Sequence, residues 1–278
     1  MRAGRQLILL ALAGLVLSGA SNAGPAPPVR IIAFGDFGVG GQTERSFGAA
    51  IRRFEARNPA DLIVALGDND YTESPSAFHA NWEGSFGWTR DAGVSVAGVL
   101  GNHDVRVNGG RYEFDELGMP QRYYRRVVGP VELYLLDSNS VDAAQTAWLA
   151  RALRGSRARW KLAAFHHPAF TCGTYSANTA VVARWVPLFE RYHVGLVLSG
   201  HDHNYQRFAP FHGVRYVVHG GGSPTKLYGL RGCPKGYPRR VRGRVENGFL
   251  YVVVRANRLD GWAVRPGGRR TDHFTLAG

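Results

Sequence analysis

A short apolar run that breaks into a polar, glycine-containing loop recurs along this chain, and that unit limits the folds open to it. VRIIAF (29–34) runs into Gly35-Asp36, and DLIVAL (61–66) runs into Gly67-Asp68. VSVAGVL (94–100) leads to Gly101-Asn102-His103-Asp104, and VELYLL (131–136) to Asp137. WKLAAF (160–165) leads to His166-His167, and VGLVLS (194–199) to Gly200-His201-Asp202-His203. Continuous apolar runs of this kind read as strands buried on both faces. Helical patterns lie between several of them. Residues 43–57 place Phe47, Ala50, Ile51 and Phe54 on one face at the helical period, and Asn58-Pro59 ends the pattern. Residues 142–153 start with an Asp cap and present Trp148, Leu149, Ala152 and Leu153, and residues 179–192 read as a third helix. Towards the C-terminus VRYVVHGGG, GFLYVVVRAN and GWAVRP are strands joined by turns, with no helix between them. The expected fold class is α/β (α+β): one domain, a four-layer α/β/β/α sandwich of two mixed sheets flanked by helices. A doubly wound single sheet is the competitor.

The N-terminus reads differently. Arg2 and Arg5 precede an almost wholly apolar stretch, residues 7–17, and Ser21-Asn22-Ala23 follows with small residues. That is the order of a secretory signal peptide, and the apolar run is too short for a membrane span of about 20 residues. Residues 1–23 are therefore expected to be removed, leaving residues 24–278 as a secreted or periplasmic domain. An uncleaved anchor is the alternative. Export into an oxidising compartment predicts that Cys172 and Cys233, the only cysteines, pair. The bridge would close a loop of about 60 residues, worth about 4 kcal/mol in the chain-entropy model. The formal charge of +13 falls to +11 without Arg2 and Arg5. A basic exported protein suits anionic substrates or surfaces, though arginine-rich composition alone separates none of them.

Chemistry-bearing residues collect at the strand ends, which is where open α/β sheets place ligands. They are Asp36, Asp68, Tyr71, Asn102, His103, His166, His201 and His203. Carboxylate, amide, phenol and imidazole donors suit iron, zinc or manganese. Their number exceeds what one catalytic ion needs, and two ions sharing a bridging carboxylate fit the count. There is no P-loop, no serine nucleophile elbow and no CxxC pair to support another enzyme class.

In this order GDFG, GDNDY, GNHD, HHP and GHDH resemble the calcineurin-like metallophosphoesterases, and more narrowly the purple acid phosphatases, including the small tartrate-resistant type. Most calcineurin-like enzymes open with Asp-x-His, whose histidine binds the first metal; this chain has Gly38 there. In the purple acid phosphatases a tyrosine three residues past the bridging aspartate replaces that ligand, and Tyr71 stands in its place. The resemblance implies that Asp36, Tyr71 and His203 bind Fe3+ and that Asn102, His166 and His201 bind a divalent ion (Fe2+, Zn2+ or Mn2+). Asp68 would bridge the two. The position before proline selects His166 over His167 as the ligand.

The resemblance further implies a secreted phosphoesterase that hydrolyses small phosphate monoesters, at acid pH, by in-line attack of metal-bound hydroxide. His103 would stabilise developing charge or protonate the leaving oxygen, and Asp104 would orient its imidazole. Other readings stay open. The same site could serve a phosphodiesterase acting on a cyclic nucleotide, a nucleic acid or a phospholipid head group. A basic exported protein could instead bind anionic polymers, although a binding module needs no dinuclear site. No stable nucleic-acid partner is expected. Purple acid phosphatases often carry another active-site histidine between the HxP and GHxH loops; here that interval offers Cys172, Tyr175 and His193, the last at a helix end. The arginine-rich stretch 231–244 either borders the entrance or is a solvated loop. Trp82, Phe86 and Trp88 either line a groove or pack in the core.

Overall fold

The computed structural model describes residues 27–222 and 226–278. The expected signal peptide, residues 1–23, and the expected start of the mature chain near Gly24 lie outside the described residues.

In chain order the strands are β1 (Val29–Phe34), β2 (Leu62–Ala65), β3 (Ser95–Gly98), β4 (Tyr124–Val128), β5 (Val131–Leu135) and β6 (Trp160–Ala164). They continue as β7 (Leu196–Ser199), β8 (Tyr205–Phe208), β9 (Arg215–His219), β10 (Arg240–Arg244), β11 (Phe249–Val254), β12 (Arg258–Val264) and β13 (Arg270–Ala277). The helices are α1 (Gly41–Glu55), α2 (Pro75–Phe86), α3 (Trp88–Asp91), α4 (Ala143–Gly155), α5 (Thr179–Arg184) and α6 (Val186–Arg191). One sheet has six strands in the order β13-β12-β11-β1-β2-β3, and the other has seven in the order β10-β8-β9-β7-β6-β5-β4. Both are mixed. The runs β1-β2-β3 and β5-β6-β7-β9 are parallel, and the outer strands pair antiparallel.

Strand alternation explains the layers. Leu133 and Leu135 of β5, Leu162 of β6 and Leu196 of β7 enter the core shared with the six-stranded sheet. Their neighbours Tyr134, Ala163 and Val197 point the other way, into a core made with α4, α5 and α6. Both faces are therefore buried, which is why these strands read as unbroken apolar runs rather than alternating ones. On the far side, Phe47, Ile51 and Phe54 of α1 and Phe78, Trp82 and Phe86 of α2 cover the six-stranded sheet. Each such side chain contributes about 1.5–3 kcal/mol by burial. The result is the expected α/β/β/α sandwich.

Two local expectations differ from the structure, and a third was left open. Residues 179–192 form two short helices rather than one, divided at Trp185. Pro187, in the first turn of α6, has no N–H to continue the hydrogen-bond ladder of α5. Of the two readings left open for Trp82 and Phe86, the structure takes core packing, and both are buried on α2. Part of the arginine-rich stretch is the edge strand β10, paired to β8. Cys172 and Cys233 are bonded, with Cα atoms 4.8 Å apart.

Candidate metal centre

Parallel strands from both sheets deliver their C-terminal loops to one place. Asp36 follows β1, Asp68 follows β2, and Asn102 follows β3; His166 follows β6, and His201 and His203 follow β7. Asp36, Asp68 and His201 have left-handed backbone, with φ of 61°, 51° and 70°. Such strain costs roughly 1–3 kcal/mol per residue and persists only where the surroundings fix it. Here the loops fix one another. The Asp36 N–H donates to the Gly67 carbonyl (2.9 Å), and Asp36 Oδ2 accepts from the His201 N–H (2.8 Å). Asp68 Oδ1 accepts from the His103 N–H (3.0 Å).

The donors fall into two groups. The Tyr71 hydroxyl lies 3.4 Å from Asp36 Oδ1, 3.2 Å from Asp68 Oδ2 and 3.3 Å from His203 Nε2. His203 Nε2 lies 3.3 Å from Asp36 Oδ1. In the other group His166 Nε2 lies 3.2 Å from Asn102 Oδ1, 3.2 Å from His201 Nδ1 and 3.5 Å from Asp68 Oδ1. Asp68 therefore turns one carboxylate oxygen to each group. Every expected donor, Asp36, Asp68, Tyr71, Asn102, His166, His201 and His203, is brought into this cluster.

The donor chemistry fits a cation in each group. His166 Nδ1 faces the Leu66 carbonyl at 2.9 Å, and His203 Nδ1 faces that of Lys226 at 2.7 Å. A carbonyl only accepts, so each Nδ1 carries the proton and each neutral ring presents the Nε2 lone pair to the cluster. The His166 lone pair meets Asn102 Oδ1, Asp68 Oδ1 and His201 Nδ1, and the His203 lone pair meets Asp36 Oδ1 and the Tyr71 hydroxyl, so acceptor atoms crowd each group and only the phenol or a His201 Nδ1–H offers a hydrogen. In the protein alone, protons fill the gap. Burial disfavours a charged His166, but Asp68 and Asp36 outweigh it and hold the imidazole up to about 10. Burial, with Asp36 and Asp68, pushes the Tyr71 phenol well above its ordinary range. Burial, reinforced by His166 and His167, pushes His201 down to about 2.

Gly38 accounts for the absent histidine. A Cβ on Gly38 would overlap the backbone of Asn69 and Asp70. The Gly38 carbonyl accepts from the Tyr71 N–H at 2.8 Å. The two loops pack too closely for any side chain at position 38, and the same contact places Tyr71.

His103 lies at the half-exposed side of the cluster, its ring 4.5 Å from that of Tyr71. The expected Asp104–His103 contact is not formed. Asp104 is fully buried; Oδ1 accepts from Asn69 N (2.8 Å) and Asp70 N (3.0 Å). Its Oδ2 accepts from Gly101 N (2.6 Å) and Asn69 Nδ2 (2.9 Å). It ties the loop of Asp68 to the loop of Asn102. Beside it, burial and the Asp104 charge raise the Glu113 carboxyl well above its ordinary value, so Glu113 holds the proton of the pair. Asp70 is likewise structural, accepting from Thr72 N (2.8 Å) and the Tyr112 hydroxyl (2.9 Å).

Some neighbours were not singled out as site residues from the sequence. His167 contacts the Ser138 hydroxyl through Nδ1 (3.0 Å), its ring 4.6 Å from that of His201. His166, His167 and His201 are themselves close enough to share one ion. Tyr175 stacks on His201 and Tyr228 on His203. The doubled histidine of HHP was the only sequence signal for the first of these; Tyr228 lies outside every motif.

This fold and this paired donor cluster define a dimetal phosphoesterase, and the sequence profile of the calcineurin-like phosphoesterase family matches residues 29–205. The chain belongs to that family. Among its relatives, tartrate-resistant acid phosphatase type 5 of Sus scrofa is 27% identical, over 89% of this chain and 88% of that protein. The Mus musculus protein of the same name is 28% identical, over 83% of this chain and 84% of its own. The fold matches the purple acid phosphatase from yellow lupin (Lupinus luteus) seeds with a TM-score of 0.75 at 16% identity. That match covers 90% of this chain but 54% of the lupin chain. GAP50, described as the anchor in the inner membrane complex of Plasmodium, matches with a TM-score of 0.75 at 15% identity, over 90% of this chain and 89% of that one. The chain is thus a phosphate-ester hydrolase of purple acid phosphatase-like type. Among the described residues no helix is long and apolar enough to cross a membrane.

Proposed function

We propose that this protein is an exported acid phosphomonoesterase with a mixed-valence or heterometallic centre. Asp36, Tyr71 and His203 hold Fe3+; Asn102, His166 and His201 hold Fe2+, Zn2+ or Mn2+; Asp68 lies between them. The observation that carries this reading is the Asp68 carboxylate, with Oδ2 3.2 Å from the Tyr71 oxygen and Oδ1 3.5 Å from His166 Nε2. When bound, the two metals supply Lewis acidity, which lowers the pKa of water and offsets charge on the phosphoryl oxygens.

The protein's own groups do the rest. The Leu66 and Lys226 carbonyls fix the tautomers of His166 and His203, so their Nε2 atoms stay available as donors. His103 is held by its backbone on Asp68 and exposes its imidazole on the open side, where it donates to a phosphate oxygen or to the departing alcohol. Asp104 acts through the backbone, keeping the Asp68 and Asn102 loops in register. Tyr71, as a phenolate, would suit a trivalent ion in its group, which supports work at acid pH. The acid phosphatase names of the relatives support the monoester substrate. The Cys172–Cys233 bridge supports export.

The test is hydrolysis of an aryl phosphate monoester and the matching diester by the metal-loaded protein between pH 4 and 9. Monoester preference with an acid optimum is the expected result. Diester preference near neutral pH would replace this reading with a phosphodiesterase on the same ligands.

A further inference from the structure

We propose that Tyr175 and Tyr228 form a leaving-group subsite beside the metal centre, shaped for a planar aromatic alcohol. The proposal rests on the phosphomonoesterase reading and names the part of the substrate that reading leaves open. Tyr175 stacks on His201 with centroids 4.1 Å apart and planes at 25°. Tyr228 stacks on His203 at 4.2 Å and 9°. The tyrosines meet edge to face at 5.4 Å, with their hydroxyl oxygens 3.4 Å apart. Each ring thus backs onto a histidine from a different donor group, and the pair spans the centre.

The wall is built rather than incidental. Tyr175 N–H donates to Asp202 Oδ1 (3.4 Å), as does Thr174 N–H (2.9 Å). Tyr228 N–H donates to the His203 carbonyl (3.0 Å), and Asn204 Nδ2 to the Tyr228 carbonyl (3.2 Å). The Cys172–Cys233 bond and the Arg231 N–H to Cys172 carbonyl bond (2.7 Å) fasten the two loops together. Tyr175 is nonetheless 40% exposed, which among the described residues sets it with Val127 and Val245 as an exposed large apolar side chain. His201 stacks on its ring and Tyr228 meets it edge to face, and the exposed remainder of the side chain lies beside the donor cluster.

Hydrolysis breaks the P–O bond to the alcohol, so the alcohol lies next to the phosphoryl group and beside this wall. A flat ring there stacks on Tyr175, whereas an alkyl alcohol gains less. Aromatic pairing of this kind corresponds to roughly a two- to tenfold preference. Neither tyrosine contributes a donor atom to the two metal groups, so the role is specificity rather than metal binding.

The experiment compares wild type, Tyr175→Leu, Tyr175→Phe and Tyr228→Leu after metal content has been measured. Two ratios are read: kcat/KM for phenyl phosphate over glycerol phosphate, and calorimetric affinity for phenylphosphonate over methylphosphonate. Tyr175→Leu should lower both ratios roughly two- to tenfold, while Tyr175→Phe, which keeps the ring, should hold them. Equal loss on the aryl and alkyl ligands, or unchanged ratios in Tyr175→Leu, would overturn the subsite. Should Tyr228→Leu disturb His203, the half-exposed Tyr175 alone carries the test. If wild type hydrolyses neither monoester, the phosphomonoesterase reading fails, and the phosphonate affinities still decide whether the wall selects aromatic groups.

Discussion

Replacing Asp104 with Asn separates a clamp from a catalytic partner. The change keeps shape and removes one acceptor. In whichever orientation the amide settles, its NH2 faces a pair of donors: either Asn69 N and Asp70 N, or Gly101 N and Asn69 Nδ2. The second orientation is the cheaper one, because Asn69 Nδ2 keeps the Val99 carbonyl and Glu113 Oε2 (3.0 Å each) and only Gly101 N is left without a partner; a buried donor so left costs about 1–3 kcal/mol, and the variant should lose about that much stability. The same displacement loosens the loops of Asp68 and Asn102, one on each side of the centre. Urea unfolding of the metal-loaded protein reads the first effect, and metal content with kcat/KM reads the second. Both should fall together in Asp104→Asn, whereas His103→Ala should lose turnover at near-normal stability and metal content. The reasoning is refuted if Asp104→Asn is as stable as wild type and its rate loss vanishes in the His103→Ala background. That outcome would mean that Asp104 serves His103 after all.

Gly38→Ala should lower metal content and activity at least tenfold, an order-of-magnitude figure for displaced ligands, because the new Cβ overlaps the Asn69–Asp70 backbone that carries Tyr71; normal metal content by elemental analysis would contradict it. Tyr71→Phe keeps the ring and removes the phenol oxygen, so it should lose any visible phenolate-to-iron absorption of the loaded protein; an unchanged spectrum would remove Tyr71 from the donor set. Burial raises the Glu44 carboxyl from 4.5 to about 7. The folded state therefore keeps a proton that the unfolded chain releases, so this group's contribution to stability is fully present below about 4.5 and is lost as pH rises through about 7, an effect of about 3 kcal/mol. Glu44→Gln should accordingly stabilise the protein more at pH 8 than at pH 5 in urea titrations, and equal effects at both would count against it.

The candidate donors at the strand ends were readable because two constraints coincide there. Buried strands force apolar runs, and a polar residue just past such a run has few structural reasons to be a phenol, an amide or an imidazole. The pairing of Gly38 with Tyr71 was readable only through the resemblance to the purple acid phosphatases; the close packing of the two loops is its physical reason. The direction of a side chain was not readable. Asp104 stands next to His103 in sequence, yet its carboxylate points to the opposite loop, a fact set by the fold rather than by spacing. Asp70 sits two residues from Asp68 but serves Thr72 and Tyr112. Helix α2 carried its own signal: Ser74 accepts from Ala77 N as the cap, Pro75 opens the first turn, and Phe78, Trp82 and Phe86 recur every fourth residue. Trp82 and Phe86 were weighed between groove and core without Phe78, so the helical period that joins the three was not used. Strands β8 and β10 mix arginine and glutamine with apolar residues, so neither reads as a buried run. Tyr228 joins the site through tertiary contact alone.

The most direct test of a dinuclear centre bridged by Asp68 is anomalous diffraction from crystals of the metal-loaded protein. The expected map has two peaks with the Asp68 carboxylate between them, one against Asp36, Tyr71 and His203, the other against Asn102, His166 and His201. A single peak seated among His166, His167 and His201, with Tyr71 away from any metal, would contradict it.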